Sequence, residues 1–249
     1  MCEQSHVREE SLWEEEQMSA IDEIDWLLSG RSEKEEFVKK FKPYVIEWAK
    51  TNEALILQTI RDKKYSWNRE SYQDSIKRRN VLEYVISKSR EANANGVDLG
   101  TLNKVTQWGF GRNFPLSDER KMLEVTREVF NNVDKQDYYE ASKCLMQVSG
   151  VGIARATKVI GLSDQENLCI YDSRVGNALK DLKVNGKKLV KCPPDQGFKR
   201  DYDVASKDEW AINYERLIWI VEIIKDYFLS KGIKLTAAEV EIALFMLGE

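Results

Sequence analysis

The amino-acid sequence predicts an all-α protein, and three observations carry that expectation. Apolar residues recur at helical spacing through most of the 249 positions, only 4 prolines and 13 glycines interrupt them, and strand-like alternation is confined to one short stretch near residue 185. With 42% hydrophobic and 32% charged residues the chain has the composition of a folded protein, long enough for one large domain or two small ones.

In chain order, residues 1–30 form an acidic segment in which Arg8 stands against nine carboxylates. Trp26, Leu27, Phe37, Phe41, Val45, Trp48, Ala49, Leu55 and Ile56 then recur at helical intervals, and Ile76, Val81, Leu82, Val85 and Ile86 predict a further helix that Asn93, Asn95 and Gly96 break. Two more helices are expected over 118–131, capped by Ser117, and over 137–148, with Tyr138, Ala141, Leu145 and Val148 on one side. Leu182 to Val190 is the strand-like exception: Asn185-Gly186 between short alternating runs predicts a small hairpin, read as a basic appendage. Pro193-Pro194 and Gly197 mark a loop, and Ser206-Lys207-Asp208-Glu209 reads as a capping box opening a long helix that stops near Gly232. Its stripe is Trp210, Tyr214, Leu217, Ile218, Val221 and Ile224. A second capping box, Thr236 with Glu239, opens the last helix, with Val240, Ala243, Leu244 and Phe245 inward.

Several function classes are disfavoured by composition. Cys2, Cys144, Cys169 and Cys192 are scattered, without a C-x-x-C pair, so neither zinc nor an iron–sulfur cluster is expected. His6 is the single histidine, too little for a histidine-based metal site or a Ser-His-Asp triad. No apolar run approaches bilayer length and the acidic start does not read as a signal peptide, so the expected location is the cytoplasm or nucleoid, without a membrane partner. The net charge of −4 disguises an uneven distribution, since residues 141–200 carry eleven basic side chains against five acidic ones.

That basic stretch contains the motif on which the functional reading turns. Leu145-Met146-Gln147-Val148-Ser149-Gly150-Val151-Gly152 leads into Ile153-Ala154-Arg155-Ala156-Thr157-Lys158-Val159-Ile160: an apolar helix end, a tight turn with two glycines, and a second helix. Glycines there permit unusual backbone angles and let amide N–H groups approach a phosphate at a helix start, where the dipole favours negative charge. Ser149, Gly150, Val151, Gly152, Arg155 and Arg174 are therefore the candidate DNA-backbone contacts. Fourteen residues after Lys158 comes Asp172, in Tyr171-Asp172-Ser173-Arg174-Val175. Breaking a base–sugar bond develops positive charge on the sugar, which a fixed carboxylate stabilises; capping of the helix that starts at Ser173 is the ordinary alternative use of an Asp, and the two are compatible.

Hairpin and Asp together resemble the HhH-GPD superfamily of helix-hairpin-helix DNA glycosylases, and the Asp-Ser-Arg-Val form is most similar to bacterial proteins described as 8-oxoguanine glycosylase-like. The resemblance is firm over about residues 137–180, and Val240 to Phe245 looks like that group's C-terminal end. It implies a two-lobed helical fold, with residues 97–205 as the hairpin lobe, residues 31–96 and 206–249 as the second lobe, and the active cleft between them. It implies removal of a damaged or modified base, an 8-oxoguanine-like purine as first guess, from duplex DNA in base excision repair, by a monomer without a cofactor. Members that also cut the strand carry a lysine two residues after the second glycine, a position held here by Ala154, so hydrolysis is expected. Lys158, one turn on, is the candidate substitute, though a phosphate contact is its more ordinary role.

Glycosylases also flip the target nucleotide out and fill the gap, work suited to loops with aromatic and amide side chains. Trp108, Arg112 and Asn113 are the candidates, with core packing as the alternative for Trp108 and Phe114; Trp67, Tyr72, Lys77, Arg78 and Arg79 form a second basic, aromatic stretch open to the same two readings. Two other function classes fit the same residues. A non-catalytic helix-hairpin-helix grip would not need the acid chemistry of Asp172, and a helical protein-interaction domain would show no salt-dependent DNA affinity.

Overall fold

A computed structural model describes residues 24, 26–67, 70–115, 118–193 and 204–249. The acidic N-terminal stretch up to residue 23 lies outside them, as do Ser117 and residues 194–200 of the predicted loop. The described chain is mostly helical: α1 Lys34–Asp62, α2 Tyr72–Ala92, α3 Leu99–Phe110, α4 Glu119–Asp134, α5 Tyr138–Met146, α6 Ile153–Gly161, α7 Ser173–Ala178, α8 Val204–Leu229 and α9 Ala237–Leu247. None of the helices among the described residues is long and apolar enough to cross a membrane.

Most helix starts are written locally. Side chains of Ser71, Asp98, Asp118 and Asp137 accept from the backbone N–H three residues on, satisfying a donor that a helix start leaves without an intrahelical partner. Thr236 and Glu239 form the predicted reciprocal capping box of α9. The other predicted box does not form, because α8 already runs from Val204 and Ser206 lies within it. Tertiary partners claim its acids instead: Asp208 lies 2.8 Å from Lys143, and Glu209 pairs with Lys191. Helix α8 stops at Leu229, and Gly232 beyond it takes φ +79°, where a residue with a side chain would be strained.

The predicted hairpin is present as β1 Lys183–Val184 and β2 Lys187–Lys188, paired antiparallel with Lys183 opposite Lys188. Asn185 and Gly186 both have positive φ, +50° and +76°, which a two-residue turn of this hand requires. It is more than an appendage, since Leu182, Val184, Leu189 and Val190 are all buried and anchor it in the core.

Packing centres on α8, whose buried face includes Ala211, Tyr214, Leu217, Ile220, Val221, Ile224 and Phe228 and which lies against α1, α5, α6 and α9. Residues expected in separate lobes, among them Phe37, Ile160, Trp108 and Leu244, share one apolar cluster. Two contacts position the region of interest: α3 lies on α6, and α9 lies on α7. Between them runs a buried ion pair. The Arg79 guanidinium, fully buried, donates to both Glu241 oxygens at 3.2 and 2.5 Å, and its Nε donates to Gln165 at 3.0 Å. Of the two readings open for Arg79, core packing holds: its neighbour Arg78 is exposed, while the helical turn directs Arg79 into the core, where only a paired guanidinium is tolerated. Removing one partner of such a pair leaves a buried, uncompensated charge, so Glu241→Gln is expected to destabilise the protein by about 3–5 kcal/mol, read as a lower denaturant midpoint. A midpoint equal to that of the unmodified protein would show that the pair carries no such burden.

Candidate active site

The turn between α5 and α6 is built as its glycines predict. Gly150 has φ +77°, and a Cβ there would lie 3.3 Å from the Pro115 side chain, so a larger residue meets both strain and crowding. Gly152 caps α6 in an extended conformation with no side-chain cap; its carbonyl accepts from the Arg155 N–H, and the N–H groups of Ile153 and Ala154 have no capping side chain. Ser149 and Gly150 are exposed, whereas Val151 is 2% exposed, its side chain turned inward with Ile153, Ala156, Val159 and Ile160. As a candidate DNA contact, Val151 therefore has only its backbone to offer.

Arg155 stands at the mouth of this turn. Its guanidinium donates to the Gly150 carbonyl, lies 5.0 Å from the centre of the Phe110 ring, and keeps a buried Nε without a hydrogen-bond partner among the described residues. Burial, together with the like charge of Arg112, lowers its pKa. Arg112 and Asn113 are both exposed in the loop after α3, and Asn113 accepts a 2.6 Å hydrogen bond from Gln107.

One turn further along α6, Lys158 points into the protein. It is 2% exposed, which does not suit the solvated phosphate contact that is the ordinary role of such a lysine. Its Nζ lies 3.9 Å from Asp172 Oδ2 and is flanked by two rings, 5.0 Å from the centre of Trp67 and 4.9 Å from that of Phe110. The stem crosses Gly109, where an added Cβ would come within 2.5 Å of Lys158 Cδ, so α3 needs a glycine at this crossing. Burial lowers the amine's pKa; the nearby Asp172 and Glu241 oppose that shift, while Arg79 and Arg174 add to it.

Asp172 divides its two oxygens between two tasks. Oδ1 accepts from the backbone N–H of Arg174 and of Val175, both at 3.1 Å, capping α7, while Oδ2 faces Lys158. The cap therefore holds the carboxylate in place for whatever the second oxygen does. Arg174 reaches back over the Phe245 ring at 4.6 Å and pairs with Glu249 at 3.0 Å, half exposed.

An aromatic layer lies beside the lysine. Trp67 donates through Nε1 to the Trp108 carbonyl at 2.7 Å, and its ring lies 5.3 Å from that of Trp108 and 5.6 Å from that of Phe245. Trp108 is 5% exposed, a wall of the site instead of a surface side chain available to fill a gap in DNA. Behind this layer Tyr65 packs edge-on against Phe245, and burial pushes its hydroxyl up to about 12 against the opposing effect of Arg79. Tyr65, Glu241 and Phe245 carry no site signal of their own in the sequence, because partners such as Phe245 for Tyr65 and Arg79 for Glu241 come from distant segments of the chain. No family model, curated protein or solved structure matches the chain.

Proposed function

We propose that this protein is a DNA glycosylase that removes a damaged base from duplex DNA in base excision repair, with an 8-oxoguanine-like purine as the first substrate to test. The observation that carries the reading is the Lys158 amine facing Asp172 at 3.9 Å between two aromatic rings, on the helix that a two-glycine hairpin opens. An amine with a depressed pKa is a nucleophile, and a carboxylate held by its own cap stabilises the positive charge that develops on the sugar. A permanent ammonium at that distance would offset the carboxylate, so the pair suits the neutral amine as attacker better than it suits water with Lys158 as a bystander.

In the proposed reaction Lys158 Nζ bonds to the sugar C1′ as the C1′–N bond breaks. The electron pair of the broken bond leaves with the base, which takes up a proton, and the new ammonium loses one. The C1′–O4′ bond then breaks as the nitrogen lone pair forms the C=N bond, O4′ takes up a proton to become a hydroxyl, and the resulting protonated imine is reduced by borohydride to a stable amine. The flipped base would stack against the aromatic walls. This assigns Lys158 the part that Ala154 cannot play, in place of the purely hydrolytic route implied by the resemblance.

A plain DNA grip is the second reading, favoured by the two capping bonds of Asp172, which alone account for an Asp at that position. Duplexes each carrying one modified base, incubated with the protein and borohydride, separate the two: base release with a trapped adduct supports the enzyme, and binding without either supports the grip. Both readings predict DNA affinity that falls as salt rises. Gly150→Val, with φ at +77° and Pro115 alongside, should weaken binding to all duplex sequences alike, as measured by fluorescence anisotropy. Unchanged affinity in the folded variant would remove the hairpin from the interface.

A further inference from the structure

We infer that the Phe110 ring is a shutter over the Lys158 amine, held closed by Arg155 and released when Arg155 turns to a phosphate. The phosphate is DNA's only if the glycosylase reading holds, but the shutter itself does not depend on that reading. At 2% exposure Lys158 cannot reach an incoming carbon, so one of its covers must move. Trp67 is fixed, clamped by its hydrogen bond to the Trp108 carbonyl and by the rings of Trp108 and Phe245. Phe110 is 36% exposed, the last residue of α3, and Gly111 after it takes φ +63° at the helix end. Its ring lies 4.9 Å from Lys158 Nζ and 5.0 Å from the Arg155 guanidinium, which is the permanent cation of the two.

Arg155 is poised to leave. Its buried Nε has no hydrogen-bond partner among the described residues, Arg112 repels it, and its guanidinium donates to the Gly150 carbonyl in the exposed turn. An anion at the uncapped start of α6 would satisfy the guanidinium through charge-assisted hydrogen bonds, which outweigh the attraction of an exposed cation to a ring. Phe110 then loses the cation that holds it from the hairpin side. The result is an amine sheltered from stray aldehydes until the hairpin engages a phosphate.

The test is reductive methylation of the full chain by formaldehyde and dimethylamine borane without DNA, with the rate at Lys158 taken from peptide mass spectra relative to exposed Lys183. Alkylation of Cys169, which is fully buried, reports any general loosening. Phe110→Ala should raise the Lys158 rate about 10-fold with Cys169 unchanged. Arg155→Met, a milder change that keeps the ring, should raise it about 3-fold, and Arg155→Lys should stay near the unmodified rate because a cation remains. A Lys158 rate in Arg155→Met equal to that of the unmodified protein overturns the coupling, and an unchanged rate in Phe110→Ala overturns the shutter. Neither measurement involves base release, so the shutter can fail while excision stands, and stand where excision is absent.

Discussion

Lys158→Gln is expected to abolish the borohydride-trapped protein–DNA adduct and to slow base release by roughly 1,000-fold or more, since it removes the proposed nucleophile while keeping a polar side chain of similar length. The buried site is what makes the substitution informative. In the unmodified protein the amine is 2% exposed and its pKa is lowered chiefly by that burial, so adduct formation should rise with pH through a midpoint below the ordinary lysine value of about 10.4. The same shift has a sign for stability. A lysine whose pKa is lower in the folded than in the unfolded state is protonated more in the unfolded chain between the two values, so its contribution to stability rises with pH across that window. Lys158→Gln should flatten both dependences. Base release by the variant at the unmodified rate would return the attack to water and leave Lys158 as one half of a buried ion pair.

The second large effect belongs to Asp172. Asp172→Asn keeps an oxygen able to accept from the Arg174 and Val175 N–H groups, so the cap of α7 and the fold should survive. What it loses is the charge on the oxygen that faces Lys158 at 3.9 Å, and loss of a preorganised charge of this kind costs about 100-fold or more in rate. The comparison requires equal thermal stability, equal DNA affinity and a lesion that the unmodified protein releases. Under those conditions, release at an undiminished rate would show that Asp172 is a cap and nothing more. A loss of rate together with loss of folding would be decided by Asp172→Ser, which retains a capping oxygen of another shape.

Local patterns legible in the sequence describe the parts of this site that are contiguous. Two glycines between apolar helix ends define a tight turn, because positive φ at Gly150 and an uncapped start at Gly152 need no distant partner. Asp172 before Ser173 likewise marks a helix start, and the Asn185-Gly186 hairpin and the Thr236–Glu239 capping box are written over four residues or fewer. The failed box at Ser206 shows the limit of such reasoning: the pattern is present, but Lys143 and Lys191 draw its acids away and the helix begins earlier. Arg79 shows it more sharply, since a basic run in the sequence contains one guanidinium whose helical turn faces Glu241, 162 residues away.

By itself, the sequence determined the helical class, the hairpin, the position of Asp172 and the presence of a lysine one turn beyond Ala154, because each depends on backbone preferences and spacing within one or two turns. Only the tertiary structure decided that this lysine is buried, that Asp172 Oδ2 meets it, and that Trp67 and Phe110 flank its amine, with Phe245 packed against Trp67. Those facts depend on α3 crossing α6 at Gly109 and on α9 holding α7, contacts between segments far apart in the chain. Reactivity follows the same division: a lysine's chemical type is written at one position, but the desolvation that lowers its pKa is the sum of everything packed around it.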